Sequence, residues 1–441
     1  MPERPAKKAR VEAPSLDAKR VKGSPVPASA KAKGKAKAKA PPATKSEPLP
    51  STFKIVAGSY EKLLYGLEGS TSYDNGQLSF AIKPVFAFPA HVSCIKAVAA
   101  SPHGGKWLAT GSADEIIKVW DLRRRKEIGG LMHHEGSITH LNFPSRSHLL
   151  SASEDGTLCL FRARDWAVLR ALRGHKGRVN SVAVHPSGKV ALSVGKDRTL
   201  RMWDLMRGKG CASTKLGKEA ELVRWSPSGT LFVVQTGSTI DVYNTDMALL
   251  HTVQHPSRLQ DVLFCKRVPG FGEGELLLAG AEDKKLSIYD MSSTDAEHPP
   301  RIVASMTGHE NRVKAVQTLD IALPAGAPRA STTIVCTVSS DGKIHLYDLA
   351  AVPETQAGKE VVEIAPVAVY DTNKTRLTCV TLADGDGATG EEAAEVNGKR
   401  KHVEDAEVEE DEEDGDDDEW TGVEGEEEEQ ESENEHEVES D

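Results

Sequence analysis

Residues 174–204 read Gly-His-Lys-Gly-Arg-Val-Asn-Ser-Val-Ala-Val-His-Pro-Ser-Gly-Lys-Val-Ala-Leu-Ser-Val-Gly-Lys-Asp-Arg-Thr-Leu-Arg-Met-Trp-Asp. Three runs within this segment, 179–184, 190–194 and 199–203, carry apolar side chains in the pattern of short β-strands. Pro-Ser-Gly and Lys-Asp-Arg separate the runs, and both triplets are typical of tight turns. The segment therefore predicts three short strands, opened by Gly-His and closed by Trp-Asp.

The same pattern recurs along the chain, and an aromatic residue stands at the Trp position of each copy. The markers are Tyr65-Gly66, Trp120-Asp121, Phe161-Arg162, Trp203-Asp204, Tyr243-Asn244, Tyr289-Asp290 and Tyr347-Asp348. They lie 40 to 58 residues apart, which is close to the spacing of a WD repeat with insertions. The predicted fold is therefore all-β, a seven-bladed WD-repeat β-propeller.

The two ends of the repeat region are incomplete in complementary ways. Residues 53–59 and 62–67 look like second and third strands without a first, and residues 376–382 look like a first strand without a second. Placing the C-terminal strand in the N-terminal blade removes the exposed edges that an open sheet would leave. We therefore expect a propeller over residues 51–383 that is closed by its C-terminal strand.

Charge is distributed very unevenly along the 441 residues. Residues 1–50 carry +9, residues 384–441 carry −26, and the remaining +6 lies on residues 51–383. Segments as biased as the two ends cannot bury enough apolar surface to offset chain entropy. We therefore predict a disordered basic N-terminal tail and a disordered acidic C-terminal tail. The acidic tail fits solubilisation, or else competition with RNA for basic surfaces or binding of basic ribosomal proteins and histones.

Short basic clusters in both tails are compatible with nuclear import. They are Lys7-Lys8-Ala9-Arg10, Lys19-Arg20 and a basic island at 397–402. The sequence has no run of about eighteen apolar residues and no apolar signal core, so we expect an unsecreted protein without a membrane partner. Its six cysteines lie far apart and form no Cys-x-x-Cys pair, which argues against structural zinc and against a disulfide framework.

Histidine, serine and aspartate recur within the blades, which raises the question of a catalytic triad. A nucleophile is needed once, whereas this set recurs, so we interpret it as the buried hydrogen-bond network that fixes blade geometry. The residues assigned to this network are His134, Asp155, His175, Ser193, Asp197, Trp203, His309 and Asp341. We predict no catalytic residue, metal, cofactor or small-molecule substrate, and hence no enzyme.

A binding face is predicted from loop positions. In a propeller blade, loops after the first and third strands emerge on one face, and the other loops emerge on the opposite face. The long insertions all belong to the first class, at 68–77, 267–275, 292–298, 322–331 and 350–359. Turns of three consecutive blades add basic side chains there: Arg123, Arg124, Arg125, Lys126, Arg162, Arg164, Arg207 and Lys209. Because Arg is suited to bidentate phosphate contacts, we predict a partner or RNA site on this face.

The opposite face stays open as an alternative binding surface. It carries single charges on several blades, at Arg173, Lys176, Arg178, Lys196, Arg198, Lys284 and Lys285. This is the surface that propellers commonly use for binding. Its charges are scattered rather than clustered, so it indicates a site less strongly than the arginine turns do.

Several motifs narrow the comparison to one family. They are Phe-Lys-Ile-Val-Ala-Gly-Ser-Tyr-Glu at 53–61, Gly-Ser-Ala-Asp-Glu at 111–115 with Ile-Lys-Val-Trp-Asp at 117–121, His-Glu-Gly-Ser-Ile-Thr at 134–139 and Gly-His-Lys-Gly-Arg-Val-Asn at 174–180. With these motifs the chain resembles the PAK-interacting protein family, which includes the maintenance-of-killer (Mak-type) protein of yeasts. The resemblance covers about residues 51–383.

This resemblance implies a function and a location. Members of the family are nucleolar factors in assembly of the large (60S) ribosomal subunit. The resemblance thus implies a protein of the nucleus and nucleolus. Its expected partners are ribosomal proteins and assembly factors of the pre-60S particle, and rRNA is a further candidate ligand. Animal members are also described as negative regulators of p21-activated protein kinases.

Three functions therefore compete at this point. The leading hypothesis is a non-enzymatic scaffold on pre-60S particles, whose rRNA and basic proteins complement the charged tails. The alternative is a signalling adaptor that restrains a p21-activated-type kinase. A third, a substrate receptor for a cullin-type ubiquitin ligase, rests only on the Trp-Asp-x-Arg pattern at residues 120–123.

Overall fold

The structure, a computed structural model, describes residues 48–292, 299–353 and 361–385. The two predicted tails lie almost entirely outside the described residues. Within them, the chain forms seven β-sheets and one short 3-10 turn, Leu349–Ala351. Each sheet is one blade, so the all-β, seven-bladed propeller expected from the repeat is confirmed.

Strand bounds follow the predicted repeat. Blade 1 contains β1 (Thr52–Ser59), β2 (Leu63–Asp74), β3 (Gln77–Pro89) and, from the far end of the chain, β29 (Leu377–Asp384). Blade 2 contains β4 (Ile95–Ala100), β5 (Trp107–Ser112), β6 (Ile117–Asp121) and β7 (Lys126–Leu131). Blade 3 contains β8 (Ile138–Ser145), β9 (His148–Ser153), β10 (Thr157–Arg162) and β11 (Val168–Arg173). Blade 4 contains β12 (Val179–Val184), β13 (Val190–Gly195), β14 (Thr199–Asp204) and β15 (Lys209–Lys215).

The remaining blades are built in the same way. Blade 5 contains β16 (Leu222–Trp225), β17 (Leu231–Thr236), β18 (Thr239–Asn244) and β19 (Leu249–Gln254). Blade 6 contains β20 (Leu259–Lys266), β21 (Glu275–Ala281), β22 (Leu286–Asp290), β23 (Arg301–Met306) and β27 (Val362–Ile364). Blade 7 contains β24 (Val313–Ala322), β25 (Ser331–Ser339), β26 (Lys343–Asp348) and β28 (Ala368–Asp371).

Apolar side chains pack between neighbouring blades rather than into one central core. Seven clusters of buried residues join the seven pairs of neighbours. Between blades 3 and 4, for example, Leu150 and Leu158 share a cluster with Val182 and Trp203. Each fully buried side chain of this kind contributes about 1.5–3 kcal/mol. Every blade therefore depends on both of its neighbours, and the stability of the ring depends on its closure.

Strand β29 closes the ring by pairing antiparallel with β1 over most of its length. Main-chain hydrogen bonds continue the pairing at both ends, from Tyr60 N to Arg376 O and from Gly385 N to Thr52 O. The C-terminal strand is thus the first strand of the N-terminal blade, and both edges that an open ring would expose are paired.

The strand order defines two faces. The arginine face carries the loops after the first and third strands, including the turns at 122–125, 163–167 and 205–208. The histidine face carries the other loops, including the segments at 91–94 and 174–178. Both classes of loop on the arginine face meet in blade 2, where Arg123 Nη2 donates to Gly104 O over 3.0 Å.

Blade 1 departs from the sequence prediction in two ways. Residues 68–77 are not an inserted loop, because β2 and β3 stay paired up to Asp74 and Gln77. Only Asn75 and Gly76 turn the hairpin, both with positive φ, as a two-residue turn requires. The marker Tyr65-Gly66 is also wrong, because strand register places residues 67–68 at the Trp-Asp position.

Blade 6 has a fifth strand that the sequence did not predict. Strand β27 pairs parallel with β23, from Val362 beside Ala304 to Ile364 beside Met306. The chain therefore crosses from blade 7 to the outer edge of blade 6 before it returns to form β28. Parts of the predicted insertions at 292–298 and 350–359 lie outside the described residues.

Candidate functional site

Blade 4 brings His175, Ser193, Asp197 and Trp203 into one chain of hydrogen bonds. His175 Nδ1 lies 2.9 Å from Asp197 Oδ2, and Nε2 lies 2.7 Å from Ser193 Oγ. The carboxylate can only accept, so Nδ1 carries the proton. Burial lowers the pKa of His175, so the ring is neutral and Nε2 accepts the Ser193 hydroxyl proton. Trp203 Nε1 in turn donates to Ser193 Oγ over 2.7 Å.

This chain of hydrogen bonds leaves no nucleophile for catalysis. Ser193 is fully buried, and its oxygen is occupied by the hydrogen bond that it accepts from Trp203 Nε1. A reacting serine must instead point into a space that a substrate can reach. The geometry therefore serves to join strands β13 and β14 to the loops that carry His175 and Asp197.

Equivalent sets recur in three other blades. They are His91, Thr110 and Asp114 in blade 2, His134, Ser151 and Asp155 in blade 3, and His309, Thr337 and Asp341 in blade 7. Burial raises the pKa of the Asp155 and Asp341 carboxyls, but hydrogen bonds from the histidines and from backbone N–H groups hold it below its usual range. In each set the carboxylate also binds the backbone N–H that follows the histidine, which ties two loops of the histidine face together.

The central channel has a volume of about 430 Å³ and is lined by the first strands of all seven blades. Its deepest charges form a buried pair, with Arg224 Nη2 3.3 Å from Asp261 Oδ1. Burial raises the pKa of Asp261 and lowers that of Arg224. Asp261 also accepts from the backbone N–H of Val316 over 3.0 Å. The pair therefore links blades 5, 6 and 7.

Charges at the channel mouth on the histidine face are also paired across blades. Lys96 contacts Glu154 at 2.9 Å, Arg178 contacts Glu219 at 3.0 Å, and Arg258 contacts Glu221 at 2.7 Å. Exposed pairs of this kind contribute at most about 1 kcal/mol each. They nevertheless use the charges that would otherwise be available to a ligand. Arg178, one of the basic residues predicted on this face, belongs to one of these ion pairs.

The aspartate of the Trp-Asp pair shapes the turns of the arginine face. Asp121 Oδ1 accepts from the backbone N–H groups of Arg123 and Arg124, both over 2.9 Å. Asp204 binds the corresponding groups in the turn of blade 4. One oxygen of each carboxylate therefore binds the backbone of the turn, and the arginine side chains of these turns are exposed.

The structure places all eight predicted basic residues on exposed positions of these turns. They are Arg123, Arg124, Arg125, Lys126, Arg162, Arg164, Arg207 and Lys209. Arg162 stands where an aspartate would be and binds Asp165 through two hydrogen bonds of 3.0 and 2.6 Å. Arg207 lies 3.7 Å from Asp204. Among the described residues, Arg124, Arg125, Lys126, Arg164 and Lys209 have no carboxylate partner.

Two features of the site were missed from the sequence. The Arg224–Asp261 pair was not predicted, because its members lie on different blades and meet only in the closed ring. An apolar cavity beside Arg125 was also missed. No local pattern marks either feature.

Candidate metal ligands and cysteines can be located among the described residues. No group of three or more His, Cys, Asp or Glu in 48–292, 299–353 and 361–385 could hold a metal ion. In the same part of the chain, no helix is long and apolar enough to cross a membrane. All six cysteines are free, and burial raises the pKa of the Cys159, Cys265 and Cys379 thiols to about 12.

Comparison with known proteins agrees with the geometry. The profile of the WD40 family (WD domain, G-beta repeat) matches residues 82–121, 125–162 and 166–204. A zebrafish protein named p21-activated protein kinase-interacting protein 1-like is 34% identical over 331 residues, covering 75% of this chain and 80% of its own length. Protein MAK11 of Saccharomyces cerevisiae is 30% identical over 370 residues, covering 75% and 83%. The human p21-activated protein kinase-interacting protein 1 is 32% identical and covers 74% and 76%.

Proposed function

Because the chain belongs to the WD40-repeat family that contains the p21-activated protein kinase-interacting proteins and yeast MAK11, we propose that it is a non-enzymatic scaffold in large (60S) ribosomal subunit assembly. Its partners are ribosomal proteins and assembly factors of the pre-60S particle, and rRNA is a further ligand. The observation that carries this proposal is the row of exposed arginine turns on three consecutive blades.

The charge of the chain supports a particle of RNA and basic proteins as the binding partner. Exposed arginines without carboxylate partners in the described residues suit phosphate or acidic side chains. Residues 1–50 add +9, which suits phosphates, and residues 384–441 add −26, which suits basic ribosomal proteins. A protein that bound a single neutral partner would need neither charge.

A second candidate function is a signalling adaptor that restrains a p21-activated-type kinase. It is favoured by the names of the zebrafish and human relatives, both of which are called p21-activated protein kinase-interacting proteins. A propeller face suits a protein partner of either kind. The charged ends distinguish the two functions, because kinase binding does not require them.

We also propose a nuclear and nucleolar location. The basic clusters at residues 7–10 and 19–20 and the basic island at 397–402 support it, since they have the composition of import signals. Assembly of the large subunit begins in that compartment, so the location and the scaffold role support each other.

The experiment that tests this function is affinity purification combined with sucrose-gradient sedimentation. The tagged protein is expected to co-migrate with pre-60S particles. Reversal of Arg123, Arg124 and Arg125 to Glu is expected to move most of it to the top of the gradient, and its difference from the wild-type protein should shrink at higher salt, because salt screens the wild-type contacts.

A matched control carries the same three charge reversals on the histidine face. Lys176→Glu, Lys196→Glu and Arg198→Glu change exposed positions there, and this variant is expected to stay with the particles. Purification with a kinase alone, and absence from every pre-60S fraction, would contradict the scaffold role in favour of the adaptor.

A further inference from the structure

A groove between blades 1 and 2 opens beside the arginine turn at 122–125. Its cavity has a volume of about 190 Å³. The lining consists of Leu64, Phe86 and Phe88 from blade 1 and Leu108, Trp120, Asp121, Leu122 and Arg125 from blade 2. Six of these eight side chains are apolar. Phe86 and Phe88 are only half-buried, so an aromatic surface is accessible from solvent directly beside exposed arginines.

The corresponding groove between blades 2 and 3 is closed by two tryptophans. Trp166 holds the position of Arg125, since both have a left-handed backbone in their turns, with φ of 58° and 53°. Trp166 packs edge-on against Trp107, with 5.6 Å between ring centroids. By strand register, Lys54 holds in blade 1 the position of Trp107 in blade 2. Two cations therefore replace the aromatic pair that closes the next groove.

We propose that this groove binds a linear acidic peptide of a partner protein through one bulky apolar anchor side chain. Carboxylates beside the anchor pair with Arg124 and Arg125. An apolar cavity of about 150 Å³ accommodates a benzene ring, so the volume here suits a leucine or an aromatic side chain. Binding energy at protein interfaces is concentrated in a few side chains that fill desolvated pockets, with Trp, Tyr and Arg enriched among them.

The carboxylates near the groove leave the two arginines available to such a peptide. Asp121 Oδ1 is bound by two backbone N–H groups of its own turn. Glu127 pairs with Lys118. Glu68 lines the adjoining pocket with Arg125, but no ion pair joins Arg124 or Arg125 to a carboxylate among the described residues, so both guanidiniums can contact acidic residues of a peptide. The proposed scaffold role indicates which proteins would supply the peptide. The chemistry of the peptide follows from the groove alone.

An RNA strand fits this groove less well than a peptide does. Its phosphates would satisfy the arginines, but a base placed in the cavity would bury polar edges that need hydrogen-bond partners. The lining offers only Arg125 and an Asp121 that is already engaged. An apolar side chain carries no such cost, so the cavity favours a protein partner.

The test uses the purified full-length protein and a synthetic array of acidic tridecapeptides that differ only in the central residue. Binding is expected to be strongest with Leu, Phe or Trp at the centre. Replacement of the central residue by Ala is expected to weaken binding roughly tenfold, as loss of one buried apolar side chain implies.

Arg125→Gly is the decisive variant. It removes the guanidinium at a position with φ of 53°, which glycine adopts without strain, and Gly208 already holds the equivalent position in blade 4 with φ of 67°. The variant therefore keeps the fold. The matched control, Arg207→Ala, removes an exposed arginine from the turn of blade 4. Arg125→Gly is expected to weaken the best peptide about fivefold or more, and Arg207→Ala less than about twofold.

Three outcomes would overturn the groove as a peptide site. One is binding that does not depend on the central residue, and another is equal weakening by both variants, since either indicates general attraction to a basic face. The third is selective loss of oligouridylate binding in Arg125→Gly with peptide binding unchanged, which assigns the groove to RNA. A protein that binds the array as expected but is absent from pre-60S fractions supports the groove and refutes the scaffold role.

Discussion

The two faces of the propeller are built from the same repeat, yet they use their charges differently. On the histidine face, Lys96, Arg178 and Arg258 each pair with a carboxylate that comes from a different blade or loop. On the arginine face, Asp121 and Asp204 bind the backbone of their own turns. Arg162 and Arg207 pair within their turns, whereas Arg124, Arg125 and Arg164 are exposed and have no carboxylate partner among the described residues. The number of basic residues on a face therefore does not locate a binding site. What matters is whether neighbouring blades already use the charges.

The largest expected effect comes from removing the strand that spans both faces. β29 begins beside Glu61 on the histidine face and ends at Asp384, which binds Gly104 on the arginine face. It buries Leu377, Val380 and Leu382, each with about 1.5–3 kcal/mol of stabilisation. A chain that ends at residue 375 is therefore expected to unfold at least about 10 °C lower than one that ends at residue 385.

The measurement is thermal unfolding followed by circular dichroism, and the chain that ends at residue 385 is the control because it keeps β29 entire. Equal midpoints for the two chains would show that closure does not stabilise the ring. The two faces could then no longer be compared as two sides of one closed ring.

A smaller effect is expected from opening one network on the histidine face. Ser193→Ala removes the group that receives Trp203 Nε1 and donates to His175 Nε2, and so leaves two buried polar atoms without partners. Each such atom costs about 1–3 kcal/mol, so the free energy of unfolding should fall by about 2–5 kcal/mol in a urea titration. Ser213→Ala is the control, because Ser213 is exposed on β15 of the same blade, and it should change stability by less than about 0.5 kcal/mol.

If Ser193→Ala were as mild as its control, the histidine network would not hold the blade together. The recurrence of His, Ser and Asp would then need another explanation, and the catalytic interpretation would have to be reopened. A loss of stability without any change in partner binding would instead separate the structural face from the binding face.

The fold was predictable from the sequence because each blade repeats a local pattern of strands and turns. Two blades departed from the prediction: blade 6 gained the unpredicted strand β27, and in blade 1 an aromatic residue misled the alignment. Tyr65 lies two residues before the Trp-equivalent position, and its hydroxyl binds Thr375 Oγ1 at 2.8 Å, a partner that comes from the far end of the chain. The extension of β2 and β3 was missed for a related reason. Gly69, Ser70 and Ser72 look like loop residues until the partner strand is known.

The arginine turns could be located from the sequence, but their availability could not. Arg164 and Arg178 look alike as exposed basic residues, and only the structure gives Arg178 a partner in Glu219, which is 41 residues away. The groove beside Arg125 is equally hidden, because it depends on what faces it across a blade boundary. Contacts between residues of different blades are set by ring closure, and no local periodicity encodes them.

The smallest expected effect tests the comparison between the faces most directly. A double-mutant cycle for Arg178→Ala and Glu219→Ala should give a coupling energy of about 0.5 kcal/mol at low salt, since the pair is partly exposed. The same cycle for Arg124→Ala and Glu127→Ala should give a coupling energy near zero, because Glu127 is already paired with Lys118. Urea titrations supply the stabilities, and about 1 M salt should remove the first coupling by screening. Equal couplings on the two faces would mean that the arginine turns are paired internally after all. Their charges would then be as unavailable to a partner as those at the mouth of the channel.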